Sequence, residues 1–270
     1  VVLIKSKKQK NIHKILLNIH HADIAEIITN LSEKESQFLY ENLNDETAAL
    51  VLKEVDDEKR KILLSQLSAK EIAVDVIDNL ESDDAVDVIL DLSEKKKEEV
   101  LSHIENEDYA NDLSKLLRYE ENTAGSMMAT ELIKVNENWD TLECLKKMRK
   151  QAEFVKQVHT IYVVNNNNKL LGTMSLKRLL ISNKNTKVRD IINSDVYYVN
   201  TNTSTEEIAN LMNKYDLIIL PVVNEKQELL GRITIDDVID VVKEEAEKDY
   251  QMASGIYEDI ENNADILTVT

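Results

Sequence analysis

The 270-residue sequence has little cysteine, little proline and no long apolar run, and each shortage excludes a class of protein. The single cysteine, Cys144, excludes an intramolecular disulfide framework and a cysteine-rich zinc site, and it suits a reducing cytosol. The longest apolar run is the seven residues 217–223, whereas a membrane-spanning helix needs about 20. The Lys-rich start lacks a signal-peptide core. We therefore expect a soluble intracellular chain, or the soluble part of a longer one.

Basic residues are also fewer than acidic ones. The sequence has 33 Lys and Arg and 51 Asp and Glu, which gives a formal net charge of −18. Such a surplus repels nucleic acid and anionic membrane surfaces, so it favours cations as partners. Two segments carry nearly all of it. Residues 71–91 hold a net charge of −8 with no Lys or Arg, and residues 236–265 hold −9. The acidity is local rather than a property of the whole surface.

The first 120 residues show a short repeat. Apolar residues end successive segments every 12 or 13 residues from Leu31 to Ile104, a spacing typical of stacked short helices. The expected helix starts are the capping-box pairs Ser32–Glu35 and Ser68–Glu71 and the N-cap residues Asn44, Asp56, Ser82 and Ser93. The pattern predicts a superhelical array without a catalytic constellation.

A duplicated α/β unit follows. Residues 160–175 and 219–234 share an order of apolar run, polar turn and second short strand, and they align at an offset of 59 that matches Gly172 with Gly231. An amphipathic helix precedes each copy. Neither copy is large enough for a robust core alone, so we expect the two to pack together.

These units resemble tandem CBS domains, which form a Bateman module. The order of segments along the whole chain is a more specific resemblance. A helical array is followed by the segment 119–128, by two CBS units and by an acidic helix from Asp236. This order resembles the cytosolic portion of the MgtE magnesium transporters over roughly residues 20–255. Segments 119–128 and 215–223 are the most diagnostic parts.

The resemblance implies an α plus α/β fold class: an N-terminal superhelical array of short helices, a tandem CBS module and a C-terminal connecting helix. The expected domains are residues 1–120 (helical repeat), 121–186 (first CBS unit), 187–242 (second CBS unit) and 243–270 (acidic, plug-like connecting helix). In that family a membrane channel domain follows this helix. The chain is therefore expected to be a regulatory region on the cytoplasmic face of the cell membrane. Its expected partners are a second copy, bound through the CBS units, and the transmembrane channel domain of the same polypeptide.

Two acidic stripes point to a metal role from the residues alone. Asp83, Asp87 and Asp91 recur every four residues on one side of a predicted helix, opposite Val86, Ile89 and Leu90. A second stripe, opposite Val238, Val241 and Val242, consists of Asp237, Asp240, Glu244 and Glu247. Like charges at such spacings destabilise a helix by about 0.2–0.5 kcal/mol per pair, and carboxylate oxygens select Mg²⁺, Ca²⁺ or Mn²⁺. The alternative is that both stripes are solvated faces.

The family's cytosolic magnesium sites add further candidates. Carried over by resemblance, they correspond to Asp83, Asp87, Glu206, Asp216, Asp237, Asp240, Glu245 and Asp249. With the stripe residues Asp91 and Glu244, these are the candidate metal ligands. Lys248 and Ser204 stand where the family often has acidic residues, which leaves the number of ions open.

The expected function is Mg²⁺ sensing that gates a magnesium transporter or channel, with a compact state when Mg²⁺ is bound between acidic faces. CBS pairs can also bind adenine nucleotides such as ATP through a Gly-x-x-Ser/Thr-x-x-Asp signature. Gly231, Thr234 and Asp237 match it, whereas the first copy has Arg178 in place of the Asp. The remaining alternatives are thus a nucleotide-sensing protein or a helical-repeat interaction scaffold. No catalytic motif is visible in the sequence, so an enzyme is not expected.

Overall fold

The computed structural model describes residues 9–153, 155–158 and 160–253, with side chains for all of these except 9–11, 244, 245, 247–249 and 251–253. The chain divides into two compact units. The first contains the residues up to Tyr119 and the short segment Ala129–Glu131, and the second contains Glu120–Met128 and the residues from Leu132 onward.

The first unit is a series of short helices. They are α1 (Gln9–Leu16), α2 (His21–Thr29), α3 (Glu33–Tyr40), α4 (Asp45–Glu54), α5 (Asp57–Ser65), α6 (Ala69–Glu71), α7 (Ser82–Leu90), α8 (Glu94–His103) and α9 (Glu107–Leu116). From α2 to α9 the helices begin 12 or 13 residues apart, which confirms the predicted period. Most of these helices bury an apolar face, and full burial of one such side chain contributes about 1.5–3 kcal/mol. Ile24 and Ile28 of α2 and Leu52 of α4 are fully buried in this way.

Side-chain caps start most of these helices, as predicted. The confirmed caps are the capping boxes Ser32–Glu35 of α3 and Ser68–Glu71 of α6, and the N-caps Asn44 of α4 and Asp56 of α5. Ser93 occupies the N-cap position of α8 without a side-chain hydrogen bond. The prediction for Ser82 is wrong, because α7 begins at Ser82 itself and Glu81 holds the N-cap position. The hydroxyl of Ser82 is engaged elsewhere, by residues far along the chain.

A helical irregularity separates α6 from α7. The chain passes through a π-helical turn, Ile72–Val76, and then a 3₁₀ turn, Ile77–Asn79. A π turn inserts about one extra residue into a helix. This insertion accounts for the 13-residue step from the start of α6 to the start of α7, where the preceding steps are 12.

The second unit contains two three-stranded sheets and five α-helices among its described residues. Its strands are β1 (Ile133–Asn136), β2 (Ile161–Val164), β3 (Leu170–Met174), β4 (Val199–Asn200), β5 (Ile219–Val223) and β6 (Leu229–Thr234). Its helices are α10 (Ala124–Met127), α11 (Thr141–Gln151), α12 (Leu176–Ile181), α13 (Thr205–Lys214) and α14 (Ile235–Ala253). A mostly helical region followed by two small sheets confirms the predicted fold class.

The two sheets repeat one topology. In each sheet the first strand is parallel to the second, and the third is antiparallel to the second. Val163 pairs with Gly172 in one sheet, and Val222 pairs with Gly231 in the other. These are the positions that the sequence alignment makes equivalent, so the predicted duplication is confirmed. The helices predicted ahead of each hairpin are α11 and α13.

The hairpin tips of the two copies hydrogen-bond to each other. The backbone N–H of Leu170 donates to the carbonyl of Gln227 at 3.0 Å, and that of Leu229 donates to the carbonyl of Asn168 at 2.9 Å. Asn168 and Gln227 occupy equivalent positions and have matching left-handed φ values of 59° and 63°. The copies therefore pack together through equivalent turns, as expected.

Candidate functional site

The first predicted acidic stripe lies on α7. Asp83 and Asp87 are one turn apart on this helix, and Asp91 is its C-cap. Asp83 is only 9% exposed, whereas Asp87 is exposed. Of the three apolar residues opposite this stripe, Val86 and Ile89 are buried, whereas Leu90 is 45% exposed. The reason is helical geometry, because adjacent residues are turned about 100° apart and the preceding residue, Ile89, takes the buried position.

Asp91 is held by basic side chains. Its carboxylate accepts a hydrogen bond from Arg60 Nε at 2.5 Å, and Lys61 Nζ lies 3.4 Å away. Burial acts to lower the pKa of Arg60, but the hydrogen bond and charge of Asp91 outweigh it and raise that pKa. Asp91 therefore has its negative charge compensated within the protein by Arg60 and Lys61.

A carboxylate that the sequence did not indicate stands at the start of α7. Glu131 Oε2 accepts hydrogen bonds from the backbone N–H of Ser82 at 3.2 Å and from its hydroxyl at 2.9 Å. The backbone N–H of Thr130 donates to the Ser82 hydroxyl oxygen at 2.8 Å. Glu131 thus satisfies a backbone donor of the first turn of α7, where a negative charge is stabilised by the helix dipole. No local sequence pattern predicts a contact between two residues that lie 49 positions apart.

The acidic groups near α7 act together on Tyr109. Burial raises the pKa of this phenol, and the charges of Glu131, Asp83, Asp78 and Asp84 raise it further. The Tyr109 hydroxyl donates to the backbone carbonyl of Leu80 at 3.2 Å. Four carboxylates therefore act on one half-buried hydroxyl.

Two acids before α7 have raised pKa values. Burial raises the pKa of Asp78, and the charge of Glu105 adds to the effect. Burial likewise raises the pKa of Asp75, with further contributions from Asp45 and Glu71. In each case the surroundings disfavour the ionised carboxylate, and a bound cation would relieve this cost.

The second acidic stripe begins α14. Asp237 Oδ2 accepts hydrogen bonds from the backbone N–H of Thr234 at 3.1 Å and from its hydroxyl at 2.5 Å. Asp240 is exposed, and its Oδ1 lies 3.4 Å from Lys243 Nζ. The side chains of three further candidates lie outside the described residues, although their backbones belong to α14: Glu244, Glu245 and Asp249.

The remaining metal candidates flank α13. Glu206 lies in the first turn of this helix and is exposed. Asp216 follows the helix, is exposed, and has a φ of 53°, a left-handed conformation that aspartate tolerates better than most residues. Among the residues that the structure describes, no three His, Cys, Asp or Glu side chains converge into a group that could hold a metal ion. The candidates are therefore distributed over acidic surfaces.

The nucleotide signature lies at the end of β6. Gly231 and Thr234 are buried on this strand, and Asp237 is held by its hydrogen bonds from Thr234. In the first copy the Ser175 hydroxyl accepts the backbone N–H of Arg178 at 3.2 Å and caps α12. The two copies thus start the helix after the hairpin in different ways.

Cys144 has a packing role. Its side chain is fully buried in the core of the first sheet and its helices, and burial raises its pKa to about 11. A thiol with such a pKa is almost wholly protonated at neutral pH and is a poor nucleophile.

Within the described part of the chain, no helix combines the length and the apolar character needed to cross a membrane.

Known protein families match most of the chain. The MgtE intracellular N domain matches residues 19–122, and the CBS domain matches residues 124–182 and 188–244. These matches follow the order of helical unit and duplicated sheets described above.

Several curated relatives are magnesium transporters. The magnesium transporter MgtE of Thermus thermophilus is 42% identical over 134 residues, which are 50% of this chain and 30% of the relative. The magnesium transporter MgtE of Enterococcus faecalis is 33% identical over 147 residues, 54% of this chain and 32% of the relative. The matched region spans about a third of the length of each relative.

Two solved structures are similar over nearly the whole chain. The soluble part of a magnesium transporter has a TM-score of 0.77 at 28% identity, covering 90% of this chain and 95% of that one. The cytosolic domain of the Mg²⁺ channel MgtE in complex with ATP has a TM-score of 0.81 at 29% identity, covering 88% and 96%.

Proposed function

We propose that this chain, which belongs to the MgtE family as an intracellular N domain followed by two CBS domains, is a Mg²⁺-sensing region that gates a magnesium transporter or channel. Its role is regulatory rather than catalytic. The gated pore would be the transmembrane domain of the same polypeptide, with this region on the cytoplasmic face of the membrane.

The acidic field around α7 carries the proposal. The charges of Glu131, Asp83, Asp78 and Asp84 all act on the half-buried phenol of Tyr109. Carboxylate oxygens are the ligands that hard divalent cations prefer, and Mg²⁺ retains several of its waters when it binds. Hydrated Mg²⁺ therefore suits a negative surface better than it suits a closed cage of protein ligands. Ca²⁺ or Mn²⁺ would be accepted by the same chemistry.

The proposed ligands include Asp83 and Asp87 on α7. Asp91 is also proposed, although Arg60 and Lys61 already compensate its charge. The others are Glu206, Asp216, Asp237, Asp240, Glu244, Glu245 and Asp249.

The mechanism is a shift between two states. When Mg²⁺ is abundant, ions bind between acidic faces of the N domain, the CBS units and the connecting helix α14, and a compact state is stabilised. When Mg²⁺ is scarce, the acidic faces repel one another and the compact state is lost. The ion biases this equilibrium only by its preference for one state, so weaker binding to the compact state means weaker gating.

A homodimer formed through the CBS units belongs to the same proposal. Helix α12 exposes three large apolar side chains, Leu176, Leu180 and Ile181, at 43%, 63% and 75%. Adjacent exposed apolar residues of this kind are typical of a protein–protein contact.

Titration calorimetry with MgCl₂ on the metal-free chain tests the proposal. We expect the double variant Asp83→Asn/Asp87→Asn to bind Mg²⁺ about tenfold more weakly or worse, since two anionic ligands are lost. The control is Asp23→Asn/Glu26→Gln, which removes two exposed carboxylates from α2 and should leave the affinity nearly unchanged.

Equal affinities in the wild type and both double variants would contradict the metal role of α7. Because Asp83 is nearly buried, circular dichroism melting checks the fold of each variant, and Asp87→Asn alone provides a variant at an exposed position.

Adenine-nucleotide sensing is the second candidate function. The observation that favours it is the placement of Gly231, Thr234 and Asp237 at the end of β6, together with the likeness to a cytosolic domain whose structure was solved with ATP. Calorimetry with ATP and AMP separates the candidates, because a helical-repeat scaffold would bind neither nucleotide nor Mg²⁺.

A further inference from the structure

We propose that Glu131 is a positioning residue for the acidic helix α7: its carboxylate holds the first turn of this helix and thereby fixes the place of the Asp83 carboxylate. This inference rests on the proposed function, because Asp83 belongs to the proposed Mg²⁺ ligands. It assigns control of their geometry to a residue outside the acidic segment 71–91, and it does not make Glu131 a ligand.

The start of α7 is not set by its own residues. Four helices of the same unit, α3 to α6, begin with a capping side chain from their own first turn or from the residue before it. Glu81 occupies the N-cap position of α7, but its side chain does not cap the helix. Because the first N–H groups of a helix have no partner within it, α7 needs an acceptor from elsewhere in the chain.

Glu131 supplies this acceptor with the geometry of a local capping box. In α3, Glu35 Oε2 accepts the backbone N–H of Ser32 at 3.3 Å and its hydroxyl at 2.7 Å. Glu131 Oε2 accepts the same two groups of Ser82 at 3.2 Å and 2.9 Å. The capping glutamate of α7 therefore comes from 49 positions further along the chain. Tertiary structure, rather than local sequence, places the first turn of α7.

The contact is buried at its Ser82 end, so its loss is costly. Ser82 is fully buried, and its hydroxyl oxygen also accepts the backbone N–H of Thr130 at 2.8 Å. Without Glu131, the backbone N–H of Ser82 would have no acceptor among the residues that the structure describes. A buried donor without a partner is strongly unfavourable. The first turn of α7 would therefore have to shift toward another acceptor or toward water.

Asp83 lies between two residues that are held in this way. Ser82 precedes it, and Asp84 follows it with its Oδ1 2.9 Å from Lys53 Nζ of α4. The Asp83 side chain is 9% exposed, and its Oδ1 accepts the backbone N–H of Asp84 at 2.9 Å. A nearly buried carboxylate between two anchored neighbours has few orientations, so a shift of the first turn would displace it.

Contacts behind a metal ligand contribute to metal affinity because they orient that ligand. Removing such a partner typically weakens metal binding by about 10–100-fold. Glu131 and Asp83 also lie close enough for both charges to raise the pKa of Tyr109. The positioning contact and the proposed ligand thus belong to the same small region of the helical unit.

Titration calorimetry with MgCl₂ on the metal-free full chain tests this role through two opposite substitutions. Glu131→Gln keeps an acceptor at the same reach and loses the charge, so we expect Mg²⁺ affinity within about threefold of the wild type. Glu131→Asp keeps the charge and shortens the reach by one methylene, so we expect affinity to fall about tenfold or more, as in Glu131→Ala. An effect of charge alone would give the reverse order of Glu131→Gln and Glu131→Asp.

The matched control is Glu35→Ala, which removes the same pair of hydrogen bonds from the start of α3. Urea denaturation should show similar losses of stability in Glu35→Ala and Glu131→Ala. The Mg²⁺ affinity of Glu35→Ala should change by less than about twofold, because its contact belongs to another helix. Stability and affinity therefore separate if Glu131 acts on the metal site.

The positioning role is overturned if Glu131→Ala and Glu131→Asp bind Mg²⁺ as tightly as the wild type, if Glu131→Gln loses as much affinity as they do, or if Glu35→Ala loses as much. Weakened binding by Asp83→Asn/Asp87→Asn in the same experiments would leave the proposed function intact. Absence of Mg²⁺ binding to the wild type, or unchanged affinity in Asp83→Asn/Asp87→Asn, would instead overturn the proposed function and this inference with it.

Discussion

Asp87 and Asp91 lie one turn apart in the sequence of α7, yet their surroundings differ. Asp91 accepts a hydrogen bond from Arg60 Nε at 2.5 Å, and both side chains are largely buried, whereas Asp87 is exposed. Sequence spacing alone made these residues equivalent members of one stripe. The structure separates a carboxylate that stabilises the fold from one that faces solvent.

We predict that Asp91→Asn lowers the free energy of unfolding by about 1.5–3 kcal/mol in metal-free buffer, because this is the usual contribution of a hydrogen bond to a charged group. Asp87→Asn should change it by less than about 0.5 kcal/mol, as is normal at an exposed position. Urea denaturation of both variants measures the difference. Equal losses in the two would contradict the distinction.

The acidic candidates themselves could be identified from the sequence, because runs without Lys or Arg are visible without any structure. Glu131 could not, since its contact with Ser82 crosses 49 positions and leaves no local pattern. The burial of Asp83 was equally invisible, because the periodicity of α7 put it on the polar side. Long-range contacts and the depth of a residue depend on packing that a helical pattern does not encode.

At the level of elements, the sequence predicted the 12-residue helical period and the duplicated hairpins, because both repeat. It missed β1 and β4. These strands have four and two residues, and each is completed only by pairing with a strand more than twenty positions later. It also missed the π turn Ile72–Val76, which lies within the 13-residue step from the start of α6 to the start of α7.

The segment from α6 to α7 should make stability depend on pH. The folded-state pKa of Asp78 lies above its ordinary value, so the neutral carboxyl favours folding and the ionised form opposes it. This contribution to stability is complete below the unfolded pKa of about 3.9 and is lost as the pH rises through the folded value. We therefore predict that Asp78→Asn, which is neutral at every pH, is more stable than the wild type at neutral pH.

The difference between Asp78→Asn and the wild type should shrink as the pH falls toward the raised pKa of Asp78. Urea midpoints of both proteins, measured at several pH values down from neutrality, give this trend. A difference that stays constant or widens on acidification would show that the charge of Asp78 is not its cause.

For the whole molecule, the net charge of −18 decides how the chain should respond to ions. The excess of acidic residues lies mainly in residues 71–91 and 236–265. These two segments contain most of the proposed metal ligands. Monovalent salt screens such charges over a Debye length, whereas a divalent cation coordinated by carboxylates also links them. Mg²⁺ and an equal ionic strength of NaCl should therefore have different effects.

Small-angle X-ray scattering of the chain, in MgCl₂ and in NaCl of matched ionic strength, tests the central claim most directly. The account predicts a smaller radius of gyration in millimolar MgCl₂ than in NaCl, and no such decrease for Asp83→Asn/Asp87→Asn. The forward scattering should correspond to twice the chain mass of 30.9 kDa if the CBS units form a homodimer. An unchanged radius of gyration across the Mg²⁺ titration would contradict the account.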